Sequence, residues 1–188
     1  MKLKRTGRLV RCLWLAVVVA TASCGDVVRS GDAPVMMVVN SLTIGGSNTA
    51  TSDVSTGGIV FSDLGEATLG VIMKDISVVA PSTNNSVTIN RYRVEYVRAD
   101  GRNVPGVDVP YAFDGAATTT IPAGGTATMV IELVRHTAKL EAPLVNLVTD
   151  GGALSMIARV TFFGTDQVGN DVMAVGSMQI TFGDFAGS

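Results

Sequence analysis

Three stretches in the C-terminal third of the chain alternate apolar and polar residues with a period of two. In Thr126 to Val134 the apolar face carries Ala127, Met129, Ile131 and Leu133; in Ala153 to Phe163 it carries Leu154, Met156, Ala158, Val160 and Phe162. In Asn170 to Phe182 it carries Val172, Ala174, Met178, Ile180 and Phe182, with Gly176 between them. Successive side chains of a strand point to opposite faces, so each stretch predicts a half-buried strand. Gly164 to Asn170 is polar and rich in turn residues, which predicts a hairpin between the last two.

Earlier runs are less regular. Val35 to Val39 predicts a strand that continues through Leu42 and Ile44, and Leu69 to Val79 predicts another; Ile59 to Phe61 is a short apolar run. In Val87 to Arg98 the apolar phase switches at Asn90-Arg91, with Val87 and Ile89 on one side and Tyr92, Val94 and Tyr96 on the other. A phase switch inside one strand predicts a β-bulge. Asn40 to Gly58, rich in Ser, Thr, Gly and Asn, predicts loop or irregular edge. Lys139 to Val148 alone shows helical spacing, and Pro143 limits it to a turn or two.

Several β-runs at intervals of roughly 8–12 residues or a little more, with no sustained helix, predict one all-β domain, a sandwich or a barrel. The order of the last strands selects a sandwich of about seven to eight antiparallel strands, spanning residues 35–188. In an immunoglobulin-like sandwich the fifth strand crosses to the other sheet before the sixth and seventh pair as a hairpin. Thr126–Val134, the crossing Arg135–Gly152 and the two final strands follow that order. The segment Val160-Thr-Phe-Phe-Gly-Thr-Asp166-Gln-Val-Gly169-Asn170 resembles the terminal hairpin of bacterial immunoglobulin-like domains, in which a strand ends in D-x-x-G-N. Tyr92-Arg-Val-Glu-Tyr96 followed by Ala99-Asp-Gly-Arg-Asn103 is similar to a run in small uncharacterised envelope lipoproteins of bacteria. These resemblances imply a fold but no activity, because such sandwiches host many functions.

The N-terminus predicts export. Lys2, Lys4, Arg5, Arg8 and Arg11 precede an apolar stretch, Leu13 to Ala20, too short to span a bilayer core of roughly 20 residues. Thr21-Ala22-Ser23-Cys24 resembles the lipobox of bacterial lipoproteins, which implies a signal peptide over 1–23, an acylated Cys24 and a tether over 24–34. Multiple acyl chains anchor stably where one does not. Gly25 follows the cysteine where inner-membrane retention uses Asp, so the resemblance implies the outer membrane. The alternatives are cleavage after Ala20-Thr21-Ala22, which would give a periplasmic or secreted chain, and an uncleaved N-terminal anchor.

Charge and cysteine content narrow the partners. Five of the 14 Lys and Arg residues fall in 1–23, so nine remain against 16 Asp and Glu. An acidic chain disfavours nucleic acid, whose phosphates need clustered cations. The chain has two cysteines, Cys12 in the signal and Cys24 at the acylation position, which leaves no disulfide and no thiol nucleophile.

Candidate chemistry is sparse. His136 is the single histidine and suits a structural role, pinning the crossing segment through hydrogen bonds; zinc would recruit more His or Cys. Asp100, Asp108, Asp114, Asp150, Asp166 and Asp171 sit at predicted loops, with Asp166, Asn170 and Asp171 the weak calcium candidates. Turn chemistry explains the same residues. No pair of acids stands out for hydrolysis. Arg91, Arg93, Arg98 and Arg102 are the one basic concentration after the signal, either a solvated strand face or a patch for an acidic partner. Tyr111 and Phe113 are either an aromatic platform or a plug for the end of the sandwich. The sequence therefore predicts a non-enzymatic structural or binding module of the envelope without cofactors. It would be held to the membrane by its lipid, with an envelope protein or glycan as partner. A subunit pairing through an open edge near Val35–Val39 is the alternative, and a carboxylate-dependent hydrolase the remaining one.

Overall fold

The computed structural model describes residues 32–55, 58–77 and 80–185. The predicted signal, Cys24 and most of the predicted tether lie outside them. Eight strands form two packed sheets: β1 (Val35–Thr43), β2 (Thr49–Asp53), β3 (Asp63–Met73), β4 (Val87–Val97), β5 (Phe113–Ile121), β6 (Thr126–Val134), β7 (Ala153–Asp166) and β8 (Asp171–Gly183). One sheet has the order β1-β3-β6, the other β2-β8-β7-β4-β5. All neighbours are antiparallel except β2 and β8, which run parallel. The fold is an all-β sandwich. Its strand order matches the immunoglobulin-like plan, with β1, β3 and β6 as one sheet and the β7–β8 hairpin beside β4 and β5 in the other.

The alternating stretches become β6, β7 and β8, and their apolar faces meet between the sheets. Ile131, Leu133, Met156, Val160, Phe162, Ile180 and Phe182 are buried there against Leu69 and Val71 of β3. Each such side chain contributes about 1.5–3 kcal/mol when fully buried. The phase switch in β4 is a bulge: its register against both β5 and β7 shifts between Ile89 and Arg91. The extra residue lets Val87 and Ile89 point inward together with Tyr92, Val94 and Tyr96. Gly164 of β7 lies opposite Ile89, where a Cβ would approach Thr88 O to 2.7 Å, so the bulged region requires glycine there.

Two strands form where the residue pattern carries no apolar stripe, and one apolar run is not a strand. The polar stretch Asn40–Gly58 contains β2, whose backbone pairs with β8 although its Thr-Ala-Thr-Ser-Asp sequence has no apolar stripe. Residues 113–121 form β5 on the far edge of the same sheet. The run Ile59–Phe61 is no strand, and both Ile59 and Phe61 are exposed.

The crossing Arg135–Gly152 contains two helical turns, α1 (His136–Lys139) and α2 (Asn146–Asp150), on either side of Pro143. Its anchor is Lys139, not the His136 imidazole. Lys139 is 2% exposed, and its Nζ donates to Asp53 O at 2.8 Å and Asp63 Oδ1 at 3.1 Å. His136 is exposed, and contributes its backbone N–H to Ser62 Oγ.

Candidate functional site

The four predicted arginines divide into two groups. Arg91 and Arg93 lie on the outer face of β4, two residues apart, and both reach Asp114 of β5: Arg91 Nη1 to Oδ1 at 2.7 Å, Arg93 Nη1 to Oδ2 at 2.9 Å. Arg93 Nε also donates to Glu95 Oε1 at 3.1 Å. Arg98 and Arg102 converge on Asp100 in the turn after β4, and their hydrogen bonds hold its carboxyl well below the usual range. Both clusters are exposed ion pairs within the chain, so they form no unmatched basic patch.

The aromatic pair is likewise separated. Tyr111 is exposed and lies against Gly106, a left-handed glycine in the loop before β5. Phe113 is 6% exposed: as the first residue of β5 it pairs with Val94, facing the core beside Tyr92. Arg135 covers its outer side, with the guanidinium carbon 4.0 Å from the ring centroid. Phe113 therefore belongs to the core and not to a binding surface.

Asp166 and Asn170 close the β7–β8 turn. Asp166 is 4% exposed and accepts from Val168 N, Asn170 N and Asn170 Nδ2 at 2.7–2.9 Å. Burial pushes its pKa up, but these bonds outweigh it and leave the carboxyl lowered. Its oxygens serve the turn, and Asp171 is exposed at the start of β8. Among the described residues no group of three or more His, Cys, Asp or Glu is placed to hold a metal ion.

One concavity stands out near this turn, an open groove of about 700 Å³. Sheet one contributes Val35, Met36 and Met37 from the start of β1, and Lys74 just after β3. Sheet two contributes the β4 bulge (Asn90, Arg91), Phe163 and Gly164 of β7, and Asp171, Val172 and Met173 of β8. The bulge thus places Arg91 at the groove, where its guanidinium carbon lies 3.9 Å from the Phe163 ring centroid. Met36 is 45% and Met173 60% exposed, on strands that present apolar side chains to solvent. Farther along, Val39 packs against Gly176, where a Cβ would come within 2.8 Å of Val39 Cγ1, so the seam between β1 and β8 is closed there. The volume lies within the range of small-molecule sites, roughly 300–1,000 Å³. Of the residues singled out in the sequence, Arg91 and Asp171 line the groove.

No protein family matches the chain, and no curated protein matches it. Among solved structures, it is similar to an X-ray structure of a Northeast Structural Genomics Consortium target, at 13% identity and a TM-score of 0.38, over 79% of this chain and 87% of that one. It is also similar to the solution structure of a putative late embryogenesis abundant protein, at 11% identity and a TM-score of 0.39, over 96% of this chain and 87% of that one.

Proposed function

We propose that this chain is a non-enzymatic binding module of the bacterial cell envelope, tethered through Cys24, with the groove at the start of β1 as its ligand site. The observation that carries the reading is the groove's lining, in which Met36, Met37, Phe163 and Met173 supply adaptable apolar contacts. Lys74, Asn90, Arg91 and Asp171 add polar groups, the combination expected of a small-ligand site. A single carboxylate, Asp171, lines it, whereas two-carboxylate hydrolysis needs a pair flanking the scissile bond. The tether rests on the lipobox resemblance. Val35, where the chain enters the sandwich, lines the groove, eleven residues after the predicted anchor in the sequence.

Intact mass and membrane partitioning of the protein from a bacterial host test the tether, against Cys24→Ala. An acylated chain beginning at Cys24, with the variant released to the soluble fraction, is the expected result. An unmodified chain, soluble in both cases, overturns the tether and leaves a periplasmic or secreted binder.

A second reading, a subunit of a surface assembly, has its own support. Gln179 N–H donates to Asn48 O at 3.3 Å and Gly183 O accepts from Val54 N–H at 3.0 Å, so these residues turn their backbone groups towards the β2 side. By strand alternation Met173 turns its groups the same way where β8 lines the groove, short of the seam that Val39 closes at Gly176. Pairing of β2 with β8 begins only at Thr49–Gln179, and among the described residues no strand pairs with that edge before it. An added strand would satisfy it. Concentration-dependent oligomers in solution would support this reading, and a monomer at all concentrations would count against it.

A further inference from the structure

We infer that the groove takes an extended, uncharged peptide segment of another protein, paired as an added strand with the edge of β8; this rests on the groove being the ligand site. The groove is a gap between two strand edges. β1 is the outermost strand of its sheet, and the Lys74 N–H, just after β3, donates to Pro34 O at 2.9 Å. By alternation Met36 also bonds towards β3, so Val35 and Met37 turn their peptide groups the other way, to the groove side. On the opposite wall Met173 turns its peptide groups away from β7, on the side where Gln179 and Gly183 bond the β2 segment. Among the described residues no strand joins the outer edge of β1, and β2 joins β8 only from Gln179 onwards. An added strand would continue the edge that β2 already uses, and an extended backbone is what such walls recognise.

Side chains and charge narrow the segment. Phe163 and Met173 are register partners on the outer face of their sheet, while Met37 and Val172 lie on the inward side. A strand between these walls meets apolar side chains on both faces, which calls for consecutive apolar residues and not for alternation. The cations are matched within the chain: Arg91 and Arg93 by Asp114 and Glu95, Lys74 by a contact of its own. They leave no charge for an anion to answer, so an uncharged segment is the complementary one. Val39 closes the seam at Gly176, so the segment runs beside Asp171 to Met173 and stops short of it.

The test titrates the full chain with fluorescently labelled Thr-Val-Ile-Val-Thr-amide, read by anisotropy. Two further peptides keep its side chains but are N-methylated at alternate amides, one in each phase. Saturable one-to-one binding of the parent is expected, and at least one methylated phase binds about tenfold more weakly, because it has lost the donors that face β8. Met173→Pro removes the β8 donor at an edge position that tolerates proline, and abolishes binding, whereas Met173→Leu retains it. Hydrogen exchange needs no variant: saturating peptide slows the Met173 amide about tenfold or more and leaves the Ala174 amide, which faces β7, unchanged.

Equal affinity for all three peptides, or a Met173 amide that stays fast in the bound state, overturns the inference. So does protection of that amide by raised protein concentration alone, which would make the occupant a second copy. If no peptide binds while an envelope extract still shields Met36 and Met173 from peroxide, the groove binds another class and only the strand is wrong. If neither protects them, the ligand-site reading fails as well.

Discussion

The hydroxyl of Tyr96, on β4, donates to the backbone carbonyl of Leu133, on β6, at 2.6 Å across the sandwich. The bond answers a local defect in the opposite sheet. In the β3–β6 ladder Asp63 pairs with Val134 and Leu64 with Glu132, so Leu133 is an extra residue without a partner on β3. Its carbonyl would lie buried without a ladder partner, and Tyr96 satisfies it. Burial, reinforced by the charges of Asp63 and Glu132, pushes the Tyr96 pKa up and keeps the hydroxyl protonated as a donor. Tyr92 makes a second inter-sheet bond, its oxygen accepting from Glu132 N at 3.1 Å.

Tyr96→Phe isolates the first bond, since the ring stays edge-on to Phe182. Leaving a buried carbonyl unsatisfied costs about 1–3 kcal/mol. Urea unfolding of the variant should show a loss in that range with an unchanged m-value. No loss would mean that water takes the hydroxyl's place.

Lys139→Met should be the costlier change. It leaves Asp63 facing Ser52, which still donates to Oδ2 at 2.5 Å, but removes the cation from the site. Breaking a buried pair from one side costs about 3–5 kcal/mol, and the partial exposure of Asp63 places this case near the lower end. Changing Asp63→Leu together with Lys139→Met should recover part of the loss, measured as a double-mutant cycle.

Gly115 sits on β5 opposite Tyr92, and a Cβ there would collide with the Tyr92 ring at Cζ. Gly115→Ala should therefore destabilise by about 1–3 kcal/mol through overpacking, although alanine suits strands no worse than glycine. Thermal unfolding reads the effect; a neutral result would mean that the Tyr92 ring shifts without cost.

Acid should weaken the fold in a defined window. Asp166 and Asp100 both have folded-state pKa values below the ordinary 3.8, so in that range the unfolded chain binds more protons than the folded one. Their contribution is complete above the unfolded value and is lost as pH falls through the folded ones. Stability measured by urea should be flat near neutrality and fall below about pH 4, and Asp166→Asn should reduce that slope. An unchanged slope would show that the turn bonds do not favour the carboxylate.

What was legible in the sequence follows from burial. Strands β6, β7 and β8 each bury one face, so their alternation is written in the residues, and the β4 bulge appears as a break in phase at Asn90-Arg91. Strands β2 and β5 lie on sheet edges and carry mostly Thr, Ala, Ser and Gly, and their position is fixed by backbone pairing that leaves no apolar stripe. Of the two alternatives the residues left open for Phe113, platform or plug, the choice depends on β5, whose register turns it inward. Lys139 carried no signal at all, because a lone lysine reads as solvated unless its partners are known. Arg91 was singled out from the sequence, but the groove around it joins residues from positions 35 to 173, brought together only by the packing of both sheets.

The most direct test of the ligand-site reading is peroxide footprinting of the methionines, read residue by residue by mass spectrometry, with the protein in its native envelope and after purification and lipid stripping. Met36 and Met173 are both exposed in the chain alone. An occupied groove predicts that they oxidise slowly in the envelope and fast once stripped, while buried Met156 stays slow in both. Equal, fast oxidation of Met36 and Met173 in both preparations would contradict the account, because a binding groove that is never covered binds nothing.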